Sequence, residues 1–162
     1  MSTEATRIAD QLRRAVEGEA WHGPSVLETL SGVDARTAAA RPIGGAHSIW
    51  EILHHITAWT RAVLRRLNGQ AVKLEGADDW PPVIDTSDAA WQSGIASFRA
   101  AQQDLLAKLN SISDDQLDRQ VPGKEYSNYF LLHGVIQHHL YHAGQIAILK
   151  KAGSSSSAAS QR

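Results

Sequence analysis

LLHGVIQHHLYHAGQIAILKK, residues 131–151, holds four of the chain's eight histidines, and His138 and His142 within it stand four residues apart. A helix advances about 100° per residue, so this spacing stacks two imidazoles one turn apart on a shared lane. The same lane carries Leu131, Val135 and Leu149, so it faces a core. His133 points well away from it. His139 falls within the wider apolar arc, and the face argument leaves it open as a second choice. Gln145 lies one turn beyond His142, where it can bond a histidine ring, a bound water or a neighbouring helix.

A second histidine pair, His54 and His55, lies in SIWEILHHITAWTRAVLRRLN, residues 48–68. Ser48 and Glu51 form an S-x-x-E capping box ahead of an apolar run, which predicts a helix start. Ile49, Ile52, Ile56, Trp59, Val63 and Leu67 make its inner stripe, and Gly69 follows as the stop. His55 lies roughly 80° from the centre of that stripe and His54 roughly 180° away. His55 is therefore expected at the edge of the core and His54 in solvent.

Imidazoles at i and i+4 can both reach one ion near ~2 Å, with a third ligand from a facing helix. His55, His138 and His142 are the candidate metal ligands. Three neutral histidines leave a tetrahedral ion one open position, as in catalytic zinc sites, and nickel, iron or cobalt also accepts such a set. Affinity should fall as pH drops through the imidazole range near ~6.5, because ligands must be neutral. The plainer reading is a set of hydrogen-bonded core histidines.

Outward from these two runs the pattern is helical. Thr3 to Glu19 reads as a first helix, broken near Gly23-Pro24 and resumed over Ser25 to Leu30. Gly32 to Gly45 reads as a connector, and 70–86 as a long loop containing Pro81-Pro82. Ser87 to Asn110 predicts a third helix with Trp91, Ile95, Phe98 and Leu105 on its apolar face. The last helix is expected from Asn128 to Lys151, its lysines complementing the helix dipole. Gly153 would close it, and Gly144 would let a neighbouring helix approach. Trp50, Trp59 and Trp91 read as core, while Trp21 and Trp80 in connectors can rim a pocket. No carboxylate can be placed near the histidines from spacing. The expected architecture is all-α, an antiparallel four-helix bundle over residues 1–153. A Ser/Ala-rich tail, 154–162, is expected to be disordered.

Composition excludes several classes. The 162 residues are 43% hydrophobic and 20% charged with net charge −1, which suits a globular domain and offers no basic stripe for nucleic acid. There is no cysteine, hence no disulfide framework, thiolate metal site or cysteine nucleophile. The polar opening MSTEATRIADQL lacks a signal-peptide core, and no apolar run approaches a membrane span, so a cytoplasmic protein is expected.

HSIWEILHHITAW followed by HGVIQHHLYHAGQIAILKK resembles the DinB-like superfamily of four-helix bundles, and WHGPSVLETL is similar to members of that group. The most specific part is H-x-x-x-H-x-G-Q, here His138, His142, Gly144 and Gln145. The resemblance implies a three-histidine metal site whose first ligand follows the helix-opening serine by seven residues, which is His55 here. It also implies a homodimer and a small-molecule substrate. Related bundles include S-transferases and isomerases using bacillithiol, mycothiol or glutathione. The expectation is thus a divalent metal, zinc or nickel first and iron or cobalt next, working with a low-molecular-weight thiol. The stretch holds no second domain of the mycothiol-isomerase kind, which counts against an isomerase and leaves a single-domain transferase open. A metal-dependent hydrolase and a non-catalytic metal-binding stress module are the alternatives.

Overall fold

The computed structural model describes residues 3–159, with side-chain surroundings through 154, and among them the protein is all-α. Six helices follow in order: α1 (Glu4–Glu17), α2 (Val26–Leu30), α3 (Ala35–Ala39), α4 (Ile49–Leu67), α5 (Asp88–Leu109) and α6 (Asn128–Ala159). The one β-type pairing among the described residues is an isolated bridge between Gln120 and Ser127, which shapes the loop ahead of α6. The helices α1, α4, α5 and α6 are the long ones. α4 packs on α5 and α6, and α1 packs on the same two, so the four close into a ring.

Each start has a local cause. Thr3, Ser25, Asp34, Ser48 and Ser87 each accept a hydrogen bond from the third residue of the helix they open. Ser25 and Ser48 do so within complete capping boxes, with Glu28 and Glu51 bonding back to the cap N–H. α1 ends well before Pro24. Gly18 (φ 147°) turns the chain out and Glu19 (φ 62°) continues in a left-handed conformation, so the break belongs to the glycine rather than the proline. The connector expected over 32–45 contains α3, a helix too short for periodicity to mark.

The ring encloses Ile8 and Leu12 of α1, Leu53 and Ile56 of α4, Phe98 and Leu105 of α5, and Leu132 and Ile146 of α6, all essentially inaccessible to water. Trp50 and Trp91 meet edge-on at 5.1 Å in the same core, and Trp91 Nε1 donates to the Val33 carbonyl. α4 is buried over a wider arc than its apolar stripe, because α5, α6 and α3 all lie against it.

α6 differs from expectation at its end. It continues past Lys151 to Ala159, and Gly153 does not adopt the left-handed conformation of a closing residue. Residues 160–162 of the expected tail lie outside the described residues. Lys150 also serves a different helix: its ammonium donates to the carbonyls of Thr29 and Ser31, capping the C-terminal end of α2. A Cβ on Gly144 would meet nothing within 4 Å, so close helix packing does not explain that glycine.

Ser48 is 3% exposed and fixes the first turn of the helix that carries His55. Ser48→Ala is expected to cost about 1 kcal/mol of stability, the usual worth of such a cap. Urea denaturation of both proteins measures it, and an unchanged midpoint would contradict the assignment.

Candidate metal centre

His55 of α4 and His138 and His142 of α6 bring one ring nitrogen each within 4.8 Å of one another. The inward atoms are all Nε2: His55 to His138 spans 3.0 Å and His142 to His138 spans 3.1 Å. Tetrahedral coordination with metal–nitrogen bonds of about 2.0–2.1 Å sets ligand nitrogens about 3.3 Å apart, close to these separations. The expected trio thus converges, while the other histidines are directed elsewhere.

The outward nitrogens fix the rings. His55 Nδ1 donates to the backbone carbonyl of Asp79 at 2.7 Å, and His142 Nδ1 donates to Gln145 Oε1 at 2.7 Å. A carbonyl can only accept, so in both rings the proton sits on Nδ1 and the Nε2 lone pair points inward. His138 Nδ1 is buried with no hydrogen-bond partner. His138 can place one proton on its own Nε2 and satisfy one neighbour, which leaves the other lone pair facing the cluster unmet. A cation satisfies all three at once, so the donor set fits a divalent metal ion.

Burial keeps the rings neutral. It pushes His138 down to about 3, and the nearby His142, His139 and His55 add to the effect. Burial also lowers His142 to about 4, against the opposing bond to Gln145, and lowers His55 against its bond to Asp79. The three are ready as ligands at neutral pH without losing a proton first.

His139 is fully buried but belongs to a different cluster. Its Nδ1 donates to the Val135 carbonyl within α6, and its Nε2 accepts from the Gln102 amide at 2.6 Å, with Thr60 Oγ1 at 3.3 Å. It is a satisfied core histidine joining α6 to α4 and α5. His133 lies against Tyr129, with ring centroids 4.4 Å apart. His54, expected in solvent, is half-buried. It accepts from Trp50 Nε1 and reaches the Pro81 carbonyl at 3.3 Å. The 70–86 loop folds back over α4 and covers it, an event helical geometry alone cannot show.

That loop supplies what spacing could not. Asp79 Oδ1 accepts from Trp59 Nε1 at 2.7 Å and lies 3.2 Å from His55 Nδ1. Trp80 stacks between two imidazoles, His55 at 3.9 Å and His47 at 3.6 Å, both nearly parallel to it. Trp80 thus lines the site as a rim residue, whereas Trp21 is fully exposed. A cavity of about 290 Å³ opens beside His55 and His138, walled by Trp59, Val63, Arg66, Asp79, Tyr126 and Phe130. A second cleft, of about 410 Å³, reaches His142 from the side of Ile43, Trp80, Tyr141 and Gln145. Asp79 and Tyr126 carry no sequence signal, since both sit in irregular loops. Arg66 does carry one: it is a charged residue in the buried register of α4, three residues past Val63 and seven past Trp59.

The lowered histidines change the expected pH window. Proton competition for the metal begins below the free-imidazole value of about 6.5, so affinity should hold through that range and fall only at lower pH. Stability of the metal-free protein follows the opposite limit. Unfolded histidines protonate near ~6.5, whereas folded His139 and His142 stay neutral to about 4. Their contribution is therefore complete above pH 6.5 and is lost as pH falls from there toward 4. Thermal melts of chelator-treated protein across that range should show a falling midpoint; a flat profile would refute the burial argument.

Among the described residues no helix is long and apolar enough to cross a membrane. No curated protein and no solved structure matches the chain. The family model of the DinB superfamily matches residues 20–146, a span that contains α4, the 70–86 loop and both α6 histidines of the centre. With the all-α ring and the three converging histidines, that match identifies the chain as a member of the DinB superfamily.

Proposed function

We propose that this protein is a divalent-metal-binding enzyme that transfers a low-molecular-weight thiol onto an electrophilic small molecule. The observation that carries the reading is the convergence of three histidine Nε2 atoms, with His55 and His138 at the wall of a largely apolar cavity and His142 facing the neighbouring cleft. His55, His138 and His142 hold the ion, zinc or nickel best matching three imidazoles and iron or cobalt next. A divalent ion there lowers the pKa of a thiol that binds it, making a thiolate near neutral pH. The chain has no cysteine, so the thiol comes from outside.

The protein's own groups do the rest. Asp79 and Gln145 orient two of the ligand rings through their Nδ1 atoms. Trp59, Val63, Leu131 and Val135 give the electrophile an apolar wall and keep water from the nucleophile. The Asp79 carboxylate lines the same cavity and can take up a proton released there. That carboxylate also favours a second reading, metal-assisted hydrolysis, which needs a base beside the ion. A homodimer belongs to the proposal on family resemblance. A metal-binding module without turnover is the remaining alternative.

Two measurements test this. Zinc titration of single variants should show His55→Ala, His138→Ala and His142→Ala each losing more than about a hundredfold in affinity, beyond the loss typical of a residue that only bonds to a coordinating ring, while His133→Ala binds as wild type. Zinc-loaded protein is then assayed for loss of a model electrophile with and without added glutathione. Thiol-dependent turnover supports transfer. Turnover of an ester without thiol, abolished by Asp79→Asn, supports hydrolysis. Bound zinc with neither activity refutes both catalytic readings.

A further inference from the structure

Arg66 is 3% exposed, yet no carboxylate lies within ion-pair distance of it among the described residues. Its Nε and Nη2 both donate to one acceptor, the Val72 carbonyl, at 3.3 and 2.8 Å. Its guanidinium carbon sits 5.4 Å from the centre of the Trp59 ring. A guanidinium has five N–H groups, so three remain, and two of them lie on the Nη1/Nη2 edge in the fork that matches a carboxylate. A charge this deep is costly to leave without a counter-ion. One carbonyl and one aromatic face orient the group without neutralising it.

Its position is equally specific. Arg66 lines the cavity that His55 and His138 also line. It follows His55 by eleven residues, which returns to the same helical lane three turns on, about 16 Å along the axis. The wall between them is Trp59, Val63, Leu131 and Val135, apolar apart from the indole N–H already given to Asp79. Asp79, the cavity's one carboxylate, is turned toward Trp59 and His55 at the other end. The cavity is therefore polarised: metal-ligating nitrogens at one end, an apolar middle and an uncompensated cation at the other.

We propose that the cavity takes a small, largely aliphatic or aromatic molecule with a single terminal carboxylate, which pairs with the free edge of Arg66 and directs the opposite end of the molecule to the histidine centre. A monoanion suits one guanidinium in an apolar wall, since a second negative charge would find no partner there. The directional part rests on the reading of the histidine centre as the reactive end; the carboxylate anchor does not.

Calorimetric titration of chelator-stripped protein with hexanoate and with hexanamide, neutral and nearly the same shape, tests the anchor without metal. Hexanoate is expected to bind at least about tenfold more tightly, the worth of a charge-assisted bond, and Arg66→Gln should erase the difference. Equal binding of the two probes, no binding of hexanoate, or a preference that survives Arg66→Gln would overturn the proposal. The wild-type comparison decides even if Arg66→Gln does not fold. A parallel zinc titration of the same wild-type sample separates the two ideas: carboxylate preference without zinc binding leaves the anchor standing and removes the metal centre.

Discussion

The hydrogen bond from His55 Nδ1 to the Asp79 carbonyl joins a helix to a loop and sets the chemistry of the centre. It fixes the proton on the outer nitrogen, so the inner nitrogen has only a lone pair to offer. It also holds the Asp79–Pro81 segment against α4, where Trp59 and His54 bind it at two further points. Without that segment His55 would stand at a solvent-facing edge of the bundle. With it, the residue is 5% exposed, its ring stacked on Trp80 and kept neutral by burial.

The other half of the centre is built differently. His138 and His142 sit on one helix, and α6 alone sets their spacing at 3.1 Å between Nε2 atoms. Gln145 turns the outer ring within the same helix. His138 has no such partner, and its buried Nδ1 is the weak point of the arrangement. A ring free to exchange its proton between nitrogens can serve the metal-free cluster as a donor and the ion as a ligand. The centre is thus held rigidly at two corners and adaptably at the third.

Burying three histidines and half-burying His138 has an energetic consequence for the fold. His139 and the three converging histidines are all displaced toward neutrality, mainly by loss of solvent. His139 answers that burial with bonds to Val135, Gln102 and Thr60, and so ties three helices together. The converging trio has no comparable internal solution, because its nitrogens face one another. The same ring type at adjacent positions, His138 and His139, therefore does opposite work: one leaves a lone pair to be satisfied from outside, the other is already satisfied.

Sequence alone determined whatever depends on one helix at a time. The capping box at Ser48 and the stripe behind it put His55 at the margin of the core, and the four-residue step put His138 and His142 on one lane. Those local rules hold because hydrogen bonding within a helix fixes the angle between its side chains. Tertiary structure decided everything that needs a second element. The face argument left His139 open beside His138, and packing separated them, since the difference is whether Gln102 or His55 waits across the gap. Only the returning 70–86 loop covered His54 and delivered Asp79 and Trp80, because an irregular segment carries no period from which its contacts can be read. Arg66 falls between these cases. Its buried register was legible, but that it faces a cavity shared with the histidines depends on where α6 and the 120–127 loop close the wall.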